Sequence, residues 1–145
     1  MIVVSWGARF VIAALALAPL AGCAQEPTVE LKGQRYTVEI ADSQEEQTLG
    51  LMFRRELDSD HGMLFTYDEA QPQSFWMRNC YIALDILYFD RDGKFINGHY
   101  NVPPCRSSQC PTYPSRRPAR YVLELGGNVA KPLALEPGDA LTLPR

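Results

Sequence analysis

Asp85 interrupts an otherwise apolar run from Tyr81 to Phe89, and a carboxyl group among side chains that exclude water is costly unless it is paired or hydrogen-bonded. Such a group has two uses. It can serve as a general base or ligand acceptor, with Trp76, Arg78 and Asn79 of the preceding segment around it, or it can accept backbone amides or pair with Arg78 and lock neighbouring strands. The structural use is the expectation, because ion pairs that only organise a fold perturb acids too. Trp76, the only Trp after residue 6, stands beside Arg78 and Asn79 and would offer a flat platform to a sugar ring. The competing arrangement is a Trp in the core of a small β domain, the commoner of the two.

The segment Val102 to Pro118 carries five prolines and two cysteines, and loops of this length inside compact domains are functional or disordered. Outside the cytoplasm Cys105 and Cys110 can close a small disulfide loop with Arg106 to Gln109 at its tip, leaving Cys80 unpaired. A zinc site of Cys80, Cys105, Cys110 and His99 has suitable donors but lacks the spacing of a standard zinc motif, so neither metal nor cofactor is expected. Between Gly93 and Leu123 there is no Asp or Glu, yet Lys94, Arg106, Arg116, Arg117 and Arg120 are present. The arginine fork suits carboxylate or phosphate, which makes Arg116, Arg117 and Arg120 candidates for an anionic ligand; otherwise they are solvated or pair with the acidic first half. Asp58, Asp60 and His61, and Asp90-Arg91-Asp92-Gly93, read as solvated turns because the later ligands of a calcium loop are missing. Neither Gly-x-Ser-x-Gly nor His-Glu-x-x-His occurs.

Short strands must position these residues. Val29 and Leu31, then Tyr36, Val38 and Ile40, alternate as half-buried strands do, with Lys32-Gly33-Gln34 as the turn between them. Ser43 and Glu46 form a capping-box pattern that starts a helix running to about Phe53. Further strands are expected over 62–67, 73–78, 82–89, 94–100, 119–125 and 140–143. This spacing predicts a mainly β fold, a compact single-domain sandwich or barrel with one short helix near residues 43–53. The chain of 145 residues has a net charge of −3, which argues against nucleic acid as a partner, and residues 28–145 suffice for one core, not two.

Ahead of that domain, Leu20-Ala21-Gly22-Cys23 resembles the lipobox at which bacterial lipoprotein signal peptides are cut. The preceding apolar run from Phe10 to Ala21 spans about 18 Å, short of the roughly 30 Å hydrocarbon core. The resemblance implies a signal peptide over 1–22, a lipidated Cys23 holding the protein to the membrane, and a tether to residue 27 that keeps the domain against the bilayer. It further implies an extracytoplasmic, envelope location. Ala24, in place of the Asp that often retains such proteins in the inner membrane, points to the periplasmic face of the outer membrane in a two-membraned bacterium.

At Thr48-Leu49-Gly50-Leu51-Met52-Phe53-Arg54, Gly62-Met63-Leu64-Phe65, Phe75-Trp76-Met77-Arg78-Asn79, Leu84-Asp85-Ile86-Leu87 and Tyr121-Val122-Leu123-Glu124-Leu125 the chain resembles Domain of Unknown Function 192, a family of small, mainly β prokaryotic domains. Cys80 departs from the Thr that family members commonly carry there. The resemblance implies a fold and brings no activity, substrate or cofactor. The functional expectation is therefore a non-catalytic binding or assembly module for an envelope glycan or another anionic envelope component. A small hydrolase or lyase acting on envelope carbohydrate with Asp85 as acid or base is the alternative, and a redox or metal-linked role for Cys80, Cys105 and Cys110 is the third.

Overall fold

The computed structural model describes residues 26–144; Cys23, the leader over 1–22 and tether residues 24 and 25 lie outside the described residues. Thr28–Leu31 (β1) and Gln34–Ala41 (β2) form a hairpin. Its turn residues Lys32 and Gly33 both have positive φ, 49° and 78°, as a two-residue turn needs to match strand twist. Gln44–Leu49 (α1) opens on the expected capping box, with the Glu46 amide donating to the Ser43 hydroxyl and the Ser43 amide to the Glu46 carboxyl. The helix is shorter than its expected run to Phe53. Gly50, at φ 49° and ψ −137°, leaves helical space, and Phe53, at φ 65°, turns the chain again.

His61–Gln71 (β3), Leu84–Phe89 (β5), Phe95–Val102 (β6), Ala119–Gly126 (β8) and Leu141–Thr142 (β9) complete a seven-stranded sheet in the order β6-β5-β8-β3-β2-β1-β9. All pairings are antiparallel except β2 with β3, whose parallel sense needs the crossover through α1. The sheet curls into a half-barrel, and its edges meet where Lys94 bridges Ala140 and the Phe95 amide donates to the Asp139 carbonyl at 2.8 Å. Ser74–Trp76 (β4) pairs with Thr112–Pro114 (β7) as a separate two-stranded flap. No strand was expected at β7, because prolines flank and end it and only three residues pair.

Strand alternation gives the sheet two apolar faces. Leu87, Phe89, Leu123 and Leu125 join Val29 and Leu31 inside the curl. Ile86, Tyr88, Val122 and Phe65 face outward and are covered by Leu51, Met77, Cys80 and the inward side of the flap, Phe75 and Tyr113. Every residue of β5 is buried, which is why its sequence is apolar throughout but for Asp85.

Asp85 points inside the curl and is fully buried. It accepts the amides of Asn101 at 2.7 Å, Asn128 at 2.9 Å and Ala130 at 2.7 Å, so its structural reading holds in the form of amide capture and not as a pair with Arg78. The catalytic grouping of Asp85 with Trp76, Arg78 and Asn79 does not form, since the sheet separates them. Asp85→Asn would turn an amino group toward those amide donors. We expect it to lower unfolding free energy by roughly 3 kcal/mol, the upper range for hydrogen bonds to a charged partner; urea unfolding at neutral pH with an unchanged midpoint would contradict this.

Candidate functional site

The period of two that sends Leu123 and Leu125 inward sends Glu124 to the outer face, opposite Ile86 of β5 and Met63 of β3. Glu124 is only 4% exposed, and its carboxyl has no hydrogen-bond or ion-pair partner among the described residues. Burial pushes its pKa up to about 8, so it is uncharged at neutral pH. Glu124 sits at the base of a cavity of about 40 Å³, walled by Leu51, Phe65, Phe75 and Cys80 and rimmed by Leu49, Met52 and Trp76. Gly50 keeps the cavity open. A Cβ there would stand 3.2 Å from the Phe65 ring and 3.9 Å from Glu124 Oε2, and its φ of 49° suits few other residues.

Gln47 and Thr48 also line the cavity, and the surface beside it is apolar and aromatic. Leu49, Phe53, Trp76 and Tyr81 are the large hydrophobic residues left exposed among the described residues, and Phe53 meets Tyr81 edge-on with ring centroids 6.1 Å apart. Trp76 is 45% exposed, so the core placement is overturned: Phe75 takes the inward side of β4, against Phe65 and Tyr88, and its neighbour must face out. The Arg78 guanidinium lies 5.4 Å over the Trp76 ring and that of Arg55 5.3 Å over Tyr81, within cation–π range. Asn79, in the left-handed region at φ 59°, accepts the Phe53 amide on its carbonyl at 2.8 Å and places its side-chain amide 3.7 Å from Met52 Sδ. It fastens the turn after α1 to the turn after β4.

Cys105 and Cys110 are joined, with sulfurs 2.11 Å apart, and Cys80 is free and buried. The Cys105 amide donates to the Met77 carbonyl at 3.1 Å, and Arg78 bridges Cys105, so the disulfide loop supports the strand end that carries the platform. Burial first, and Glu124 second, push the Cys80 thiol up to about 11, which leaves it unreactive at neutral pH. The four-ligand zinc set does not assemble, because two of its thiols are bonded to each other. His99 packs edge-on between Tyr88 and Tyr113 with Nε2 3.0 Å from the Pro114 carbonyl.

The basic residues do not converge on the platform. Arg116 follows β7 at the end where Pro114 pairs Ser74, whereas Trp76 pairs Thr112 at the other. Arg116 and Arg117 are exposed; Arg120 donates from Nε to the Tyr67 carbonyl at 3.1 Å and stacks on Tyr121. Asp58, Asp60 and His61 form an exposed turn in which Asp60 and His61 pair at 2.8 Å; that hydrogen bond raises the imidazole and lowers the carboxyl. Glu124 was absent from the sequence-based candidates. Its signal was the one that singled out Asp85, an acid inside an apolar strand.

A curled half-barrel with an acid-based cavity beneath a two-stranded flap defines a class of mainly β domain. The DUF192 family, described as "Uncharacterized ACR", matches residues 27–143, and the chain belongs to that family. No curated protein matches the chain. A candidate transcription regulator from Sinorhizobium meliloti 1021, solved by crystallography, is 39% identical with a TM-score of 0.71, covering 79% of this chain and 91% of its own. A protein of unknown function from Novosphingobium aromaticivorans DSM 12444 is 36% identical with a TM-score of 0.72, covering 89% and 92%.

The raised pKa of Glu124 makes stability depend on pH with a definite sign. Below its ordinary value of 4.5 both folded and unfolded chains hold the proton; between there and about 8 only the folded chain does. Unfolding then releases a proton, so this group's contribution falls as pH rises, by at most about 1.4 kcal/mol per pH unit, and levels off above 8. Glu124→Gln should remove that slope and gain most over the parent at pH 8. Parallel stability curves for the two proteins between pH 5 and 8 would refute it.

Proposed function

We propose that this protein is a non-catalytic binding module of the bacterial cell envelope, held to the membrane by lipid on Cys23, which takes a glycan on the Trp76 platform. The observation that carries the reading is an exposed Trp ring, backed by Arg78, at the mouth of a small cavity with a carboxyl at its base. An indole face stacks on the apolar face of a sugar, and the polar groups around it fix orientation. The cavity is too small for a ring, having the volume of one or two waters, so the ligand lies on the rim and inserts a single substituent.

The lipobox-like Leu20 to Cys23 supports the anchored location, and the Cys105–Cys110 disulfide fits an oxidising compartment. Among the described residues no helix is long and apolar enough to cross a membrane. Exposed Arg116 and Arg117 would add affinity for anionic glycans or other anionic envelope components through screened, salt-sensitive attraction. Binding is favoured over glycoside cleavage because glycosidases commonly use two carboxyls flanking the bond. Glu124 is the only acid lining the cavity, and Asp85 is committed to backbone amides on the other face.

Two outcomes test the reading. Cys23→Ser should abolish incorporation of a labelled fatty acid and release the protein from the membrane fraction; a variant that still takes label would end the anchored reading. In a glycan-array screen of the full-length protein in detergent, Trp76→Ala should weaken the best ligand by roughly 1–3 kcal/mol, about five- to 150-fold in Kd, with an unchanged melting temperature. Equal binding by parent and variant would remove the platform.

A further inference from the structure

Glu124 stands apart from every other acid in the described fold. Surface acids are solvated and Asp85 holds three amides, but the Glu124 carboxyl is buried, unpartnered and directed into a cavity that opens on solvent. The titratable groups close enough to feel it are Cys80 after β4, Tyr67 of β3 and Tyr88 of β5. Each of them is held above its ordinary pKa, chiefly by burial, and none is a cation. From α1 and the turn beyond it the lining comes from Gln47, Thr48, Leu49, Gly50, Leu51 and Met52, which carry no charge. Among the described residues, Glu124 therefore has nothing to neutralise it except its own proton.

We infer that the cavity is a seat for a primary ammonium group, with Glu124 as its counter-ion, and that the glycan bound on the Trp76 platform is one bearing a free amine. This inference rests on the binding-module reading and names the substituent that reading leaves open. An ammonium on its carbon matches the small volume, and its three N–H donors need a carboxylate acceptor that the cavity supplies. The walls suit a cation as well: aromatic rings attract positive charge at their faces, and Phe65, Phe75 and Trp76 line this cavity. An acetamido group is larger, uncharged and would leave the acid without a charge partner. Arg78, stacked on Trp76, is not among the residues lining the seat and can meet hydroxyl or anionic groups of the same ligand.

The proton balance follows from the pairing. Below pH 8 the empty site holds the proton on Glu124; when an already protonated amine enters, the carboxyl gives that proton to solvent and the ion pair remains, so binding releases about one proton per site. The test is titration calorimetry on the full-length protein in detergent at pH 5.5, where aminosugar amines as well as alkylamines carry their proton and so does Glu124, in two buffers of different ionisation enthalpy. The probes are a β-1,4-linked glucosamine tetramer, its N-acetylated counterpart and propylammonium alone. We expect the glucosamine tetramer to bind at least about tenfold tighter than the acetylated one, with about one proton released, and Glu124→Gln to lose both the preference and the release. Equal binding of the two tetramers with no proton released would overturn the ammonium seat and leave the Trp76 platform standing. Binding of propylammonium with proton release, with neither tetramer bound, would keep the seat and overturn the glycan reading. No binding of any probe would overturn both. The proton count is read on the unaltered protein, so it does not depend on how the variant folds.

Discussion

Three backbone amides, those of Asn101, Asn128 and Ala130, converge on the Asp85 carboxyl, and the closed end of the fold depends on that convergence. Asn101 belongs to β6, the edge strand, while Asn128 and Ala130 belong to the turn after β8; both elements flank β5. One side chain on the middle strand thus ties its two neighbours where the ladder ends. Asn101 has φ 50° and Asn128 φ 68°, conformations that Asn tolerates better than most residues, so the amides turn inward at positions whose side chains permit it. An apolar residue at position 85 would leave those donors buried without acceptors.

The same ladder carries the opposite case one strand away. Asp85 pairs Leu125 and Ile86 pairs Glu124, so the two acids sit on adjacent strands and point to opposite faces. The inner acid is satisfied by backbone and locks the fold; the outer acid has no protein partner among the described residues, reaches solvent only through the cavity, and destabilises the fold above its ordinary pKa. A buried carboxyl without partners contributes no packing that Leu or Met would not give more cheaply. Gly50 has a similar meaning, since any side chain there would narrow the space above Glu124. Both residues fit the proposed role of the cavity as a binding site.

Elements with a clear period or a local chemical signal were legible from sequence. The β1–β2 hairpin, the capping box at Ser43 and Glu46, the buried run of β5 and the Cys105–Cys110 pair all announce themselves through neighbours within a few residues. What was not legible depended on contacts between distant segments. The helix ends at Gly50 because the chain must turn over Phe65, a residue of β3. β7 exists only because Ser74–Trp76 offers it a partner. Asp85 and Glu124 give the same sequence signal, an acid in an apolar strand, and only the amides of residues 101, 128 and 130 tell the two apart. Arg116, Arg117 and Arg120 look like one cluster in sequence, but the flap and β8 carry them away from Trp76.

The exposure of Trp76 follows from the construction of the flap. In a three-residue strand one face must cover the outer core, and Phe75 does so by meeting Phe65 at 4.9 Å and Tyr88 at 5.9 Å between ring centroids. The alternation that commits Phe75 inward sends Ser74 and Trp76 outward, where no third layer exists to receive a large side chain. A small polar residue would meet the demands of the strand at position 76 at lower solvation cost. The indole instead lies beneath a guanidinium, on a segment braced by the Cys105 amide and bridge, at the lip of the cavity that holds the unpaired acid. Apart from its contact with Arg78, an exposed aromatic beside an unpaired carboxyl adds little to the isolated domain; under the proposed binding role both features would be preorganisation, which lowers the ordering cost when a ligand arrives.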